Sequence, residues 1–451
     1  MSNATKLSAR DRINALVDAN SFVEIGALVT KRSTDFNMQE KSVPGDGVIT
    51  GYGLVDGSVV YVYSQDASAM GGSIGEMHAN KICRMYDMAM KAGAPVVGII
   101  DCAGFRLQES VDALAAFGSI YAKQAEASGL IPQISAVVGT CGGGVAVSSV
   151  MSDFTFMEAG ARLFVNSPNA IAGNYTDKCD TSSAQFQGTA NTVDFVCDGE
   201  EALFGKMRDF ISMIPANCED MAISDCDDDL NRLVPEFASD MADPVKALAD
   251  ISDNNEFVEV KAGYAKEMVT GFIKLNGMTI GAVANRAAVI GEDGKAAETF
   301  DTVLTTAGCG KAEDFVGYCD SFGIPVLTLT NVTGYAKSMD EEKTIAAAAA
   351  KLTAAFACAD VPKVNLVTGK AYGSAYITMN SKHVGADLVF ALDNAEIGTM
   401  DPALMSKLVD TEGEAGMQAA PATAASRGYV DTIISAEAAR KQLVYAFEML
   451  Y

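Results

Sequence analysis

The sequence predicts an α/β protein built as two tandem copies of one strand-and-helix unit. Three observations predict this. A distinctive stretch occurs twice: GAPVVGIIDCAGF from Gly93 to Phe105, and GIPVLTLTNVTGY from Gly323 to Tyr335. Further anchors repeat at the same offset of 230, pairing Pro132 with Pro362, Gly139 with Gly369 and Gly143 with Gly373. Within each copy, short apolar runs ended by glycine turns alternate with longer segments of helical period, the pattern of strands joined by crossover helices.

The elements of one copy follow in order. ITGYGLVDG and VTGFIKLNG match at an offset of 220, Gly51 over Gly271 and Gly57 over Gly277, so about ten extra residues lie between these anchors and the later ones. The Asp-Gly and Asn-Gly pairs inside them predict hairpin turns, because these residues take positive φ cheaply. VVGIID and VLTLTN are short apolar runs suited to buried strands. ESVDALAAFGSIYAKQAEASG has the length and period of a helix, and QISAVVGTCGGG predicts another buried strand running into a glycine-rich turn. The acidic stretch 218–244 lacks a clear apolar period in its first half and is expected to be the linker. The domains are accordingly expected at 1–225 and 226–451.

With 451 residues, 49% of them hydrophobic, the chain can fill two cores. A net charge of −25 argues against nucleic acid or an anionic membrane surface as a general partner. Ten scattered cysteines form no C-x-x-C pair, which fits a reducing, cytoplasmic setting and neither a zinc ribbon nor a disulfide framework. The first residues carry no apolar signal core, and no run of about 18 apolar residues predicts a membrane span. IAAAAAKLTAAFACA is interrupted by Lys351 and is read as a packed helix.

YSQDASAMGGSIGEMHANKI, DCAGFRLQES, SGLIPQISAVVGTCGGGVAVSSVMSDFTFM and GKAYGSAYITMNSKHVGADLVF resemble the biotin-dependent acyl-CoA carboxyltransferases, the family of the propionyl-CoA carboxylase β subunit and the methylmalonyl-CoA decarboxylase α subunit. The similarity spans nearly the whole chain. It implies two tandem crotonase-type (ClpP/crotonase) spiral domains, one for the acyl-CoA and one for biotin, and explains why one stretch is carried twice. It implies a homohexamer whose site forms where the first domain of one subunit meets the second domain of another. It also implies partners: a biotin carboxyl carrier protein, with a biotin carboxylase or a membrane decarboxylase subunit. The chain has no biotinyl-lysine M-K-M motif, so the biotin must arrive on the carrier.

Moving a carboxyl group between biotin and the α-carbon of a thioester places negative charge on an oxygen at each side. Preorganised backbone N–H groups at a helix start answer that charge, and a glycine turn lets the backbone come close. The resemblance implies that Gly143 and Gly144 serve the acyl-CoA, and Ser374 and Ala375 serve biotin. Around them, Gly71, Gly72, Gly104 and Gly142 are expected to line the first site, and Tyr372, Gly373 and Ile377 the second. No metal is expected.

The two histidines, His78 and His383, are read as structural or solvated, since the biotin oxygen can itself take the α-proton. Cys141 is read as a small buried hydrophobe. The acidic run DCDDDL is read as solvated rather than cation-binding. Lys81, Arg84 and Arg106 are candidates for the CoA phosphates, with packing roles as the alternative. Simple crotonase hydratases carry a carboxylate just beyond the glycine turn, whereas here the first acid is Asp153. The family's Arg-His pair before the second turn is replaced by Ala347 and Ala348, which makes a non-transferring CoA-binding scaffold one alternative; an acyl-CoA hydratase or isomerase of the same fold is another.

Overall fold

The computed structural model describes residues 6–32, 36–37, 43–172, 179–291, 293–409 and 414–451. It divides into two compact units, residues 1–220 and 221–451.

The first unit holds one eight-stranded sheet. Its strands are β1 (Val23–Glu24), β2 (Val48–Val55), β3 (Ser58–Gln65), β4 (Val96–Cys102), β5 (Gln133–Gly142), β6 (Phe154–Glu158), β7 (Arg162–Phe164) and β8 (Phe195–Cys197). They lie in the order β1-β2-β3-β4-β5-β6-β8, with β7 paired to the far end of β5. The hairpin β2–β3 is antiparallel, and from β3 onward the neighbours run parallel. Parallel neighbours require crossovers. The principal helices are α1 (Ala9–Leu16), α2 (Glu76–Ala92), α3 (Val111–Ala127), α4 (Gly144–Val150) and α5 (Glu200–Ile211).

The second unit repeats this plan with β9 (Val258–Val260), β10 (Met268–Leu275), β11 (Met278–Asn285), β14 (Val326–Val332), β15 (Lys363–Tyr372), β16 (Leu388–Leu392), β17 (Glu396–Gly398) and β18 (Thr432–Ile434). Between them, β12 (Ala288–Ile290) and β13 (Ala296–Thr299) form a separate two-stranded ribbon. Its helices include α6 (Pro244–Ile251), α7 (Thr306–Ser321), α8 (Ile345–Cys358), α9 (Gly373–Thr378) and α10 (Ala439–Leu450).

The repeat is kept to the residue. Gly51 faces Val62, and Gly271 faces Ala282. Val96 faces Gln133, and Val326 faces Lys363, with a register shift at the same place in both pairs. The ten extra residues of the second copy coincide with the β12–β13 ribbon, inserted between β11 and α7.

The repeated residues have repeated reasons. Gly93 and Gly323 end α2 and α7 with φ of 65° each, the left-handed conformation that glycine takes without a Cβ penalty. The carbonyls of Pro95 and Pro325 accept from the N–H of Tyr61 and Gly281 at 2.9 Å, carrying the ladder into β4 and β14. A Cβ at Gly51 or Gly271 would overlap the carbonyl oxygen of Val23 or Val258.

On α2 the buried residues His78, Ala79, Lys81, Ile82, Met85, Tyr86 and Ala89 lie on the inner side, and Ala79, Ile82, Met85, Tyr86 and Ala89 join Ala116, Phe117 and Ile120 of α3 in the first core. The acidic stretch expected to be a free linker is largely built into the second unit. Ile223 pairs with Met278, and Val234 and Phe237 are buried beside Leu248 and Phe447. Within DCDDDL, Asp228 is bound by Arg232 and Arg440 at 3.0 and 3.3 Å, so its charge is already neutralised by the protein.

Candidate functional site

Both long central strands, β5 and β15, run into a glycine at positive φ and then into a helix. At Gly143 φ is 64°, and at Gly373 it is 61°. The offset of 230 that aligns these two glycines aligns Gly144 with Ser374 and Val145 with Ala375. The first N–H groups of a helix have no intrahelical acceptor, so each turn aims unsatisfied donors outward.

The amide of Gly143 is engaged differently from the sequence expectation. Its N–H donates to the carbonyl of Phe164 at 2.8 Å, tying the turn to β7. The positions equivalent to Ser374 and Ala375 are therefore Gly144 and Val145. The repeat offset pairs Val145, a residue the glycine run itself does not point to, with Ala375.

Close packing fixes the first turn. Tyr121 donates its hydroxyl to the carbonyl of Gly144 at 2.6 Å, and a Cβ on Gly144 would stand 2.9 Å from that hydroxyl and 3.0 Å from the Phe117 ring. Phe117 in turn packs at a tilt against Phe105, with ring centroids 4.3 Å apart. The other predicted glycines converge here. Ala103 donates its N–H to Gly71 at 2.9 Å, and a Cβ at Gly72 would overlap the carbonyl of Asp101. A Cβ at Gly104 would lie 3.7 Å from the Gly142 carbonyl, and one at Gly142 would lie 2.8 Å from the Phe164 ring. Gly71, Gly72, Gly104, Gly142, Gly143 and Gly144 thus make one cradle of bare backbone.

The second turn opens on a pocket of about 470 Å³. Gly373, Ser374 and Ile377 line it, together with Tyr376, His383, Met405, Arg427 and Tyr429. Tyr372 and Ala375 are buried beside it rather than in its wall. The Tyr372 hydroxyl donates to Glu396, and burial first, then that carboxylate, pushes its pKa up. His383 faces the pocket, its ring centroid 4.8 Å from that of Tyr429. It is solvent-exposed there, in keeping with a solvated residue, and the sequence did not place it at the second turn.

His78 fits the structural reading. It is fully buried, Nδ1 lies 3.0 Å from the carbonyl of Asp46, and burial with the nearby Arg106 charge pushes its pKa down to about 3. Cys141 is buried, which pushes its thiol up and suppresses the thiolate. Arg106 and Lys81 are not free for phosphate. Arg106 is 0% exposed within an ion-pair cluster, and Lys81 donates to the carbonyls of Gly45 and Val48. Arg84 lines a smaller pocket of about 150 Å³ beside α2. Asp153 accepts from the N–H of Gln133 at 2.7 Å, at the opposite end of β5 from the glycine turn. Ten residues of strand separate them by roughly 30 Å, too far for a hydratase acid. Among the described residues, no group of three or more His, Cys, Asp or Glu is placed to hold a metal.

The carboxyl transferase domain model matches residues 2–451. The chain belongs to the carboxyl transferase family. Among the relatives of this carboxyltransferase is the methylmalonyl-CoA decarboxylase α subunit of Propionigenium modestum, 37% identical over 99% of this chain and 90% of its own. The propionyl-CoA carboxylase β chain of Roseobacter denitrificans is 36% identical over 99% of this chain and 91% of its own. In structure the carboxyltransferase is similar to the transcarboxylase 12S hexamer with hydrolysed methylmalonyl-coenzyme A bound, with a TM-score of 0.90 and 32% identity over 99% of this chain and 89% of that one. The tandem crotonase-type fold and a carboxyltransferase activity in acyl-CoA carboxylation or decarboxylation are thereby established. Among the described residues no helix is long and apolar enough to cross a membrane.

Proposed function

We propose that this carboxyltransferase moves a carboxyl group between biotin on a separate carrier protein and the α-carbon of a short acyl-CoA, with propionyl-CoA and methylmalonyl-CoA as the pair. The observation that carries this reading is the repetition of one strand–glycine–helix turn at Gly143 and Gly373, giving one donor set for each of two charged oxygens. Unit 1, residues 1–220, is assigned the thioester, and unit 2, residues 221–451, the biotin.

The amides of Gly144 and Val145 bind the thioester oxygen as negative charge develops there. The glycine cradle lets the thioester approach without steric obstruction. In unit 2 the amides of Ser374 and Ala375 take the corresponding role. The pocket beside them has a volume suited to a small bicyclic group, apolar walls from Ile377, Tyr376 and Met405, and polar backbone at one end, so these residues fit biotin. Biotin, when bound, supplies the nitrogen that carries the carboxyl group. No side chain in either turn is needed as the base, in keeping with the neutral, buried His78.

The assembly is read as a homohexamer, supported by the hexameric 12S neighbour. The carrier is read as a biotin carboxyl carrier protein, working with a biotin carboxylase or a membrane decarboxylase subunit. All ten cysteines are unpaired, which supports a cytoplasmic location. The test is a panel of malonyl-, methylmalonyl- and glutaconyl-CoA, each with free biotin or a biotinylated carrier. Carboxyl transfer should be strongest with methylmalonyl-CoA. Absence of transfer from every donor would sink the reading, and a monomer in sedimentation would sink the hexamer.

A further inference from the structure

Arg106 is a fully buried charge of unit 1, at 0% exposure. Its Nη1 bonds Asp46 Oδ1 at 2.6 Å and Glu109 Oε1 at 2.9 Å, and its Nη2 bonds the carbonyls of Ser73 and Asp46 at 2.8 and 3.3 Å. One guanidinium thus joins three loops: 44–47, which leads into β2; 70–75, which carries Gly71 and Gly72; and 103–110, which carries Gly104. Two of these loops form the walls of the glycine cradle. The planar, always-charged fork suits this task, because it fixes several acceptors in one geometry.

The second unit supplies an internal control. It builds the same backbone junction. Ile74 bridges Phe105 as Leu304 bridges Tyr335. Ile74 N donates to Gly104 and Arg106 N donates back to Ile74, both at 2.9 Å, while Leu304 N donates to Gly334 and Ala336 N donates back to Leu304, both at 2.9 Å. Even the helix start is capped alike, Glu109 accepting from Glu76 N at 2.6 Å and Glu341 from Thr306 N at 2.7 Å. At the place of Arg106, however, the second unit has Ala336. The fold therefore forms this junction without a buried guanidinium, and a buried ion pair is a weak route to stability in its own right.

We propose that Arg106 is a positioning residue of the unit 1 cradle, holding Gly71, Gly72 and Gly104 at the spacing the thioester requires; this rests on assigning the thioester to unit 1. The cradle presents backbone rather than side chains, so its shape depends on what clamps the loops from behind. The clamp is needed on this side because the thioester must be held with its α-carbon in line for transfer, where small displacements are costly.

The test uses the full-length protein, with methylmalonyl-CoA and free biotin as substrates. Two variants are compared: Arg106→Lys, which keeps the charge but loses the fork, and the triple Asp46→Asn, Arg106→Met, Glu109→Gln, which removes the buried charges together. The triple variant is expected to fold, with kcat/KM for methylmalonyl-CoA lowered about 10- to 100-fold, KM for free biotin unchanged, and partial recovery in Arg106→Lys. Wild-type kinetics for methylmalonyl-CoA in a folded triple variant would overturn the proposal. Failure of both variants to fold would make Arg106 a folding residue and overturn it equally. A defect confined to the biotin parameters would uphold the clamp and overturn the assignment of unit 1 to the thioester.

Discussion

The carboxylate of Asp101 fills the space that a side chain at Gly139 would need. A Cβ there would overlap the acid, whose Oδ1 accepts from the N–H of Thr140 at 3.2 Å. Gly139→Ala must displace Asp101 and with it the ion pairs to Lys6 and Arg12 at 3.1 and 3.2 Å. It is expected to destabilise by about 1–3 kcal/mol. Gly118→Ala, on the open face of α3 with nothing within 4 Å of the new Cβ, serves as the control and is expected to stabilise by up to about 1 kcal/mol. Urea unfolding of the two variants checks the pair; equal midpoints would contradict it.

The two turns should separate into two half-reactions. Val145→Pro and Ala375→Pro remove one N–H from equivalent places near a helix start. The first is expected to slow α-proton exchange on the acyl-CoA, and the second to slow decarboxylation on the biotin side, each by a barrier of about 3 kcal/mol. Defects appearing in the opposite half-reactions would reverse the assignment of the units.

Neither histidine should behave as an essential base. His383→Ala, in the pocket wall, is expected to lower the rate on the biotin side by no more than about tenfold, below the roughly 100- to 10,000-fold of a general base. His78→Ala should cost stability and leave the rate of the folded fraction intact. Steady-state kinetics against free biotin, with a thermal melt of each variant, decides this. A collapse of activity in folded His383→Ala as deep as that of Ala375→Pro would overturn it.

The pH dependence of stability should carry the mark of Asp153. Burial raises its pKa from the ordinary 3.8 to about 7. Between these values the folded state holds more protons than the unfolded one, so this contribution to stability is full below pH 3.8 and is lost as pH rises to about 7. Asp153→Asn keeps an acceptor for Gln133 and removes the titration. Its urea midpoint should exceed that of the wild type at pH 8 and approach it at pH 4, a difference on the order of a few kcal/mol. A constant offset at all pH values would refute the assignment.

The repeat made the two sheets legible before any coordinates. Its glycines and prolines mark places where backbone geometry leaves little choice, as at Gly93 and Gly323. The whereabouts of charged side chains were less legible. Arg106 reads on paper equally as a phosphate ligand or as a packed charge, and only the long-range approach of Asp46 shows it buried in an ion-pair cluster. The N–H of Gly143 meets the Phe164 carbonyl only because β7 folds back. Both depend on a contact between segments far apart in sequence, which local pattern does not encode.

Every strand of the first sheet lies within residues 23–197. During synthesis, therefore, the whole of that sheet can leave the ribosome and pair before the sheet of the second unit is complete. The chain grows at about 5–20 residues per second, which leaves the first half on the order of ten seconds alone. Two near-identical sets of strands in one polypeptide would otherwise invite exchange between copies, β4 pairing with β15 or β14 with β5. Separation in time gives each strand its own neighbours first. A tandem duplication of this kind is thus protected from cross-pairing by the order in which its parts are born.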